Sequence, residues 1–172
     1  MTANKETTPQ WKTTIIVSTS LQNSDTSRML HSQHHRIRFS ENVESGAFIF
    51  PLSGTAFLLV DPQELPEVLE GSGLVERIQT FMHVHRHSFL LLYAPFNGKK
   101  EVEILTRIQR SFFGCNLRIL PVRNTAELVK GMLTIAKATS KPHVDSILDR
   151  MSLARAHIIE SSSVWEMLRD IL

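Results

Sequence analysis

Two short apolar runs and a third strand-like segment, each stopped by a proline, constrain this chain more than any other feature. Ala56-Phe57-Leu58-Leu59-Val60 ends at Asp61-Pro62, Phe89-Leu90-Leu91-Leu92-Tyr93 ends before Pro95, and Leu117-Arg118-Ile119-Leu120 ends at Pro121. A strand with one wet face would alternate, so unbroken apolar runs of this length read as strands covered on both faces. Proline has no N–H for the ladder and marks where each run stops. Strands buried on two sides need helices on two sides, and the intervening segments supply them. Val75, Ile78, Phe81 and Met82 share a helical face over 74–85. Val102, Leu105, Ile108 and Phe112 do so on the next segment, where Glu103 and Arg107 stand at i,i+4 and Gly114 is placed as the cap. Asn124-Thr125-Ala126-Glu127 is a capping box opening a helix through Leu128, Met132 and Ile135.

The rest of the chain fits this scheme. Residues 1–11 are polar and read as a disordered leader. The β-branched stretch from Thr13 to Ser20 predicts a strand. A short, exposed helix is expected between Ser24 and His34, followed by extended segments at 36–40, 47–50 and 55–61, the last two joined by a Pro51-Leu52-Ser53-Gly54 hairpin turn. Gly71-Ser72-Gly73 lacks the Lys-Ser/Thr of a phosphate loop and reads as a plain loop. Strands alternating with helices predict an α/β layered sandwich with a partly parallel, mixed central sheet over 12–139. After the Ser140-Lys141-Pro142 break, residues 140–172 read as a C-terminal helical tail of two capped helices, 143–160 and 164–172.

Composition narrows the function classes. At 172 residues, with 42% hydrophobic and 21% charged side chains, the chain can bury one substantial core. A formal charge of +2 permits a nucleic-acid partner without requiring one. A single cysteine, Cys115, excludes a disulfide scaffold and a cysteine-based zinc finger; it is read as a small buried hydrophobe. No apolar stretch approaches the ~20 residues that span a bilayer, and no signal-peptide core is present, so the expectation is a soluble nuclear or cytosolic protein with no membrane contact.

Several clusters could carry chemistry. His83, His85 and His87 alternate, which on a strand would aim three imidazoles one way, as metal ligands require. No cysteine or acid nearby completes a closed site, and a helix end running into a strand explains the spacing, so no metal is assigned. His31, His34 and His35 with Arg36 and Arg38 read either as phosphate contacts or as a solvated face. The C-terminal part carries the excess of base, and Lys137, Lys141, Arg150 and Arg155 are the DNA-binding candidates. The tail stripe, Met151, Ile158, Trp165, Leu168 and Leu172, is too apolar for a ~30-residue hairpin to bury alone and is the candidate partner interface.

These residues carry a resemblance. Leu117-Arg118-Ile119-Leu120-Pro121, then Asn124-Thr125-Ala126-Glu127-Leu128, then Ser140-Lys141-Pro142, with the opening Thr14-Ile15-Ile16-Val17-Ser18, resemble the XPF nuclease-like domain. Val43-Glu44-Ser45-Gly46, Phe50-Pro51-Leu52-Ser53-Gly54, Val84-His85-Arg86 and Ile135-Ala136-Lys137 resemble, within it, the Spo-sixteen (sporulation-specific protein sixteen) family. The resemblance spans about residues 11–172. It implies an XPF/restriction-nuclease-like fold with a helix–hairpin–helix-like tail. It also implies a non-enzymatic subunit, without cofactor, that pairs with the XPF-like Shortage-in-chiasmata protein. The pair would bind branched DNA on meiotic chromosomes in the nucleus, alongside other crossover factors, and support crossover formation, synapsis and the synaptonemal complex. Active XPF nucleases carry a glycine–aspartate and a glutamate–arginine–lysine cluster with a further aspartate, whose acids hold the metal that activates water. Here those places hold Glu44-Ser45-Gly46 and the apolar run Ala56–Val60 before Asp61, which leaves no catalytic residue. The tail has no glycine after Gly131, which favours partner contact over phosphate contact for the hairpin.

Overall fold

The computed structural model describes residues 11–66, 71–140 and 151–152. Six strands, β1 (Thr14–Ser18), β2 (Arg36–Ser40), β3 (Ala47–Phe50), β4 (Thr55–Val60), β5 (His87–Tyr93) and β6 (Arg118–Val122), form one sheet in the order β2-β1-β3-β4-β5-β6. β3 runs antiparallel to both neighbours, β1 and β4, and every other pairing is parallel. Five strands therefore point the same way, and the sheet is mixed, as expected. Each parallel pair is joined by a helix that must run back against the strands: α1 (Asp25–Ser32), α2 (Leu74–Val84) and α3 (Lys99–Ser111). α4 (Thr125–Ala138) returns from the end of β6.

The apolar runs bury as their continuity requires. Along β4, Phe57 joins a cluster with Ile15, Val17, Leu30, Phe48, Leu91 and the α4 residues Leu128, Val129 and Met132. Ala56, Leu58 and Val60 enter a second cluster on the opposite face with Ile78 and Phe81 of α2 and Ile104 and Ile108 of α3. One strand thus feeds two cores, and the architecture is three layers. Phe57 sits edge-on to Phe50 at 5.4 Å between ring centroids and stacks on Phe89 at 5.1 Å. Full burial of each such ring contributes about 1.5–3 kcal/mol.

Several expectations are corrected. The helix after β1 forms from its Ser24 cap, whose Oγ accepts from Ser27 N–H at 3.2 Å, but it is not simply exposed: Thr26, Ser27 and Leu30 are buried against α4. Pro121 does not end β6; it lies inside the strand opposite Leu92. β6 is an edge strand, so its outward side tolerates the missing N–H. Glu103 and Arg107 share the α3 surface without closing to an ion pair; the two pairs among the described residues are Arg28–Asp25 and Arg77–Glu44. α3 is capped at Phe112, and Gly114 follows in the turn at φ +81°. Cys115 is exposed, not buried, because that turn carries it past the end of the core. Of the leader, Trp11 alone is described; it is half-buried and meets His35 edge-on at 5.7 Å.

Candidate functional site

A cleft of about 430 Å³ opens at the C-terminal edge of the parallel strands. Its walls are Leu59, Val60 and Asp61 ending β4, Tyr93 ending β5, Ser45 and Gly46 leading into β3, and the N-terminal turns of α1 and α4. Here the strand directions diverge around β3, which is where open α/β sheets leave a crevice. The resemblance places a nuclease's acids at this edge, since Glu44-Ser45-Gly46 and Asp61 lie side by side on it.

The carboxylates are engaged elsewhere. Glu44 Oε1 accepts from Arg77 Nε at 3.0 Å, and Arg77 also donates through Nη2 to the Ser45 carbonyl. Arg77 thereby straps the loop before β3 onto the first turn of α2. Gly46 completes the strap: it adopts φ +81°, its N–H donates to Ser20 Oγ at 3.0 Å, and its carbonyl accepts from Leu59 N–H at 2.9 Å. Asp61 caps the short 3₁₀ turn 62–64, accepting from Gln63 N–H at 2.9 Å. Among the described residues no three His, Cys, Asp or Glu side chains gather as a metal site requires. The acids at this edge, Glu44 in its ion pair, Asp61 as a cap, Asp25 paired with Arg28 and Glu64 in the 3₁₀ turn, are placed singly and do not fit the metal of an XPF-type nuclease.

The other predicted clusters are dispersed. His83 lies in the last turn of α2, His85 caps it, and His87 opens β5. His85 packs on Phe81 at 4.6 Å, and burial lowers its pKa. His35 is 5% exposed, neither a phosphate contact nor part of a solvated face. Its Nδ1 accepts from Thr13 N–H at 3.2 Å, and burial, helped by the charge of Lys12, lowers its pKa. His31, His34, Arg36 and Arg38 remain exposed. Lys137 is exposed in the last turn of α4, at the edge opposite the cleft, and Met151 is 56% exposed. Lys141, Arg150, Arg155, Ile158, Trp165, Leu168 and Leu172 lie outside the described residues. Sequence reasoning missed Arg77 and Ser20 altogether: Arg77 meets a partner 33 residues away, and Ser20 one 26 away, with no local signal for either.

The fold is that of an XPF nuclease domain. Two structures of XPF from Aeropyrum pernix, one in complex with DNA, superpose with TM-scores of 0.59 at 12% and 10% identity, covering 76% and 83% of this chain. The chain spans 66% of the DNA-complexed nuclease chain and 73% of the other. Within that fold class the family is narrower. Residues 9–171 match the family model described as Protein SPO16 homolog, and the chain is 48% identical over 162 residues to the human protein of that name, covering 94% of this chain and 89% of the human one. The chain belongs to the SPO16 homolog family.

Proposed function

We propose that this protein is a non-catalytic subunit of an XPF-like heterodimer that binds branched recombination intermediates in the meiotic nucleus and promotes crossover formation and synapsis. Its partner is the XPF-like Shortage-in-chiasmata protein, and its place is on meiotic chromosomes with the synaptonemal complex. The observation that carries the reading is the cleft at the nuclease edge of an XPF fold, where Glu44 and Asp61 serve as strap and cap and the strand between is apolar. A nuclease needs acids free to hold a metal. A subunit that has given them to structure is suited to assembly. The tail stripe, with Trp165 as anchor, is the proposed partner contact, and tryptophan-centred contacts are worth about 2 kcal/mol or more. Lys137, Lys141, Arg150 and Arg155 are its proposed phosphate contacts.

The test is co-expression with the XPF-like partner, followed by binding and cleavage of a four-way junction in magnesium and manganese. Co-purification, junction binding and no cleavage are expected. Cleavage abolished by Asp61→Ala, or failure to co-purify, overturns the proposal. Among the described residues no helix is long and apolar enough to cross a membrane.

A further inference from the structure

The domain is electrically polar along its strands. Every described acid, Asp25, Glu41, Glu44, Asp61, Glu64, Glu76, Glu101, Glu103 and Glu127, lies at strand ends or in the first two helical turns, on the cleft side. At the opposite edge the strands begin and the helices end. There the described chain places Lys12, Arg36, Arg86, Arg110, Arg118 and Lys137, all exposed, together with the described histidines, and no carboxylate. Both ion pairs of the described residues belong to the acidic side.

Helix dipoles explain only part of this. Asp25, Glu76, Glu101 and Glu127 in first turns, and His31, His83, Arg110 and Lys137 in last turns, are where a dipole favours them. Lys12, Arg36, Arg86 and Arg118 precede or open strands, where no helix dipole favours them. Arg118 also lies over the Phe89 ring at 5.3 Å, and among the described residues none of the four is ion-paired. They stand in two pairs toward the two margins of the sheet: Arg36 opens edge strand β2 and Lys12 stands two residues before β1, while Arg86 lies directly before β5 and Arg118 opens the other edge strand, β6. At ~4.8 Å per strand the two pairs together span about 24 Å, the length of about seven base pairs at ~3.4 Å each.

We infer that this strand-start edge, opposite the cleft, is a second nucleic-acid surface, in which Arg36, Arg86 and Arg118 contact the phosphate backbone of duplex DNA. Two pairs of exposed cations, one toward each margin of the sheet and with no described carboxylate between them, match phosphates on separate stretches of a polyanion. Recognition would be independent of sequence, because the two pairs offer charge to phosphates and nothing to base edges. The inference deepens the DNA-binding reading above and rests on it, but uses different residues from those proposed there.

The experiment measures anisotropy of a labelled duplex and a labelled four-way junction with the full chain, alone and co-purified with its partner, across a salt series. The triple variant Arg36→Gln, Arg86→Gln, Arg118→Gln is expected to lower the slope of log K against log salt by about 2.7 on duplex, about 0.9 for each phosphate no longer neutralised. Lys99→Gln with Arg123→Gln, on the acidic side, should leave the slope unchanged, and thermal melts confirm that both variants fold. No DNA binding by the wild-type protein in either form overturns this inference and the DNA-binding reading together. Wild-type binding with an unchanged slope in the triple variant overturns this inference alone. Intact DNA binding by a triple variant that no longer co-purifies makes the edge a protein contact and likewise overturns it.

Discussion

Replacing Gly46 by alanine probes the strap that shapes the cleft. Two separate penalties apply. At φ +81° an L side chain is strained, which costs roughly 1–2 kcal/mol. The added Cβ would also lie 3.0 Å from the Leu59 carbonyl oxygen and 3.2 Å from Arg77 Nη2. The first neighbour is backbone in a ladder and cannot step aside, and forced packing of this kind costs about 1–3 kcal/mol. A loss of about 3.5 kcal/mol is expected for Gly46→Ala, the sum of mid-range strain and packing costs. Gly54 separates the two terms, because it has φ +66° but nothing within 4 Å of its Cβ position, so Gly54→Ala carries only the strain. Urea unfolding followed by circular dichroism measures both. With m of about 2 kcal/mol per M, the midpoint should fall by about 0.5–1 M for Gly54→Ala and by about 1.75 M for Gly46→Ala. Equal shifts in the two variants would refute the claim that the Leu59–Arg77 surroundings, and not backbone conformation alone, demand glycine at the cleft.

Acid should weaken the fold through His35 and His85. Both have pKa values lowered in the folded state, chiefly by burial, so the unfolded chain binds more protons. Their contribution is complete above the unfolded value of about 6.5 and is lost as pH falls below it; Tm should drop as the pH is taken from neutral to mildly acidic, and His35→Gln should reduce that drop. Asn124→Ala removes the Oδ1 that accepts from Glu127 N–H at 2.8 Å and should cost about 1 kcal/mol in urea unfolding. Deleting residues 141–172 should leave a cooperatively folding domain by circular dichroism, because the described members of the two core clusters, from Ile15 to Ala136, already cover the sheet on both faces.

The features readable in the sequence were those whose cause is local. A continuous apolar run needs two covers wherever it lies, so Ala56–Val60 and Phe89–Tyr93 announced buried strands, and Ile108 and Phe112 announced the helix between β5 and β6, although Val102 is 52% exposed and the buried face runs through Ile104. Caps are equally short-range: Asn124 and Glu127 act within one turn, although the Glu127 carboxylate accepts from Arg123 N–H, one residue before the cap. What depended on through-space neighbours was not readable. Pro121 looked like a stop because its tolerance comes from β6 being an edge, a property of strand order. His35 looked like part of a basic surface stretch until Trp11 and Thr13 closed over it. The strap joins Glu44 to Arg77 across 33 residues, and no residue near either names the other. The charge polarity is of the same kind: the common direction of five strands, with helices running back against them, gathers every described acid at one edge and leaves the other with bases alone. Local sterics and hydrogen bonding act over a few residues, whereas strand order is a choice among distant pairings, and that choice sets which side chains meet.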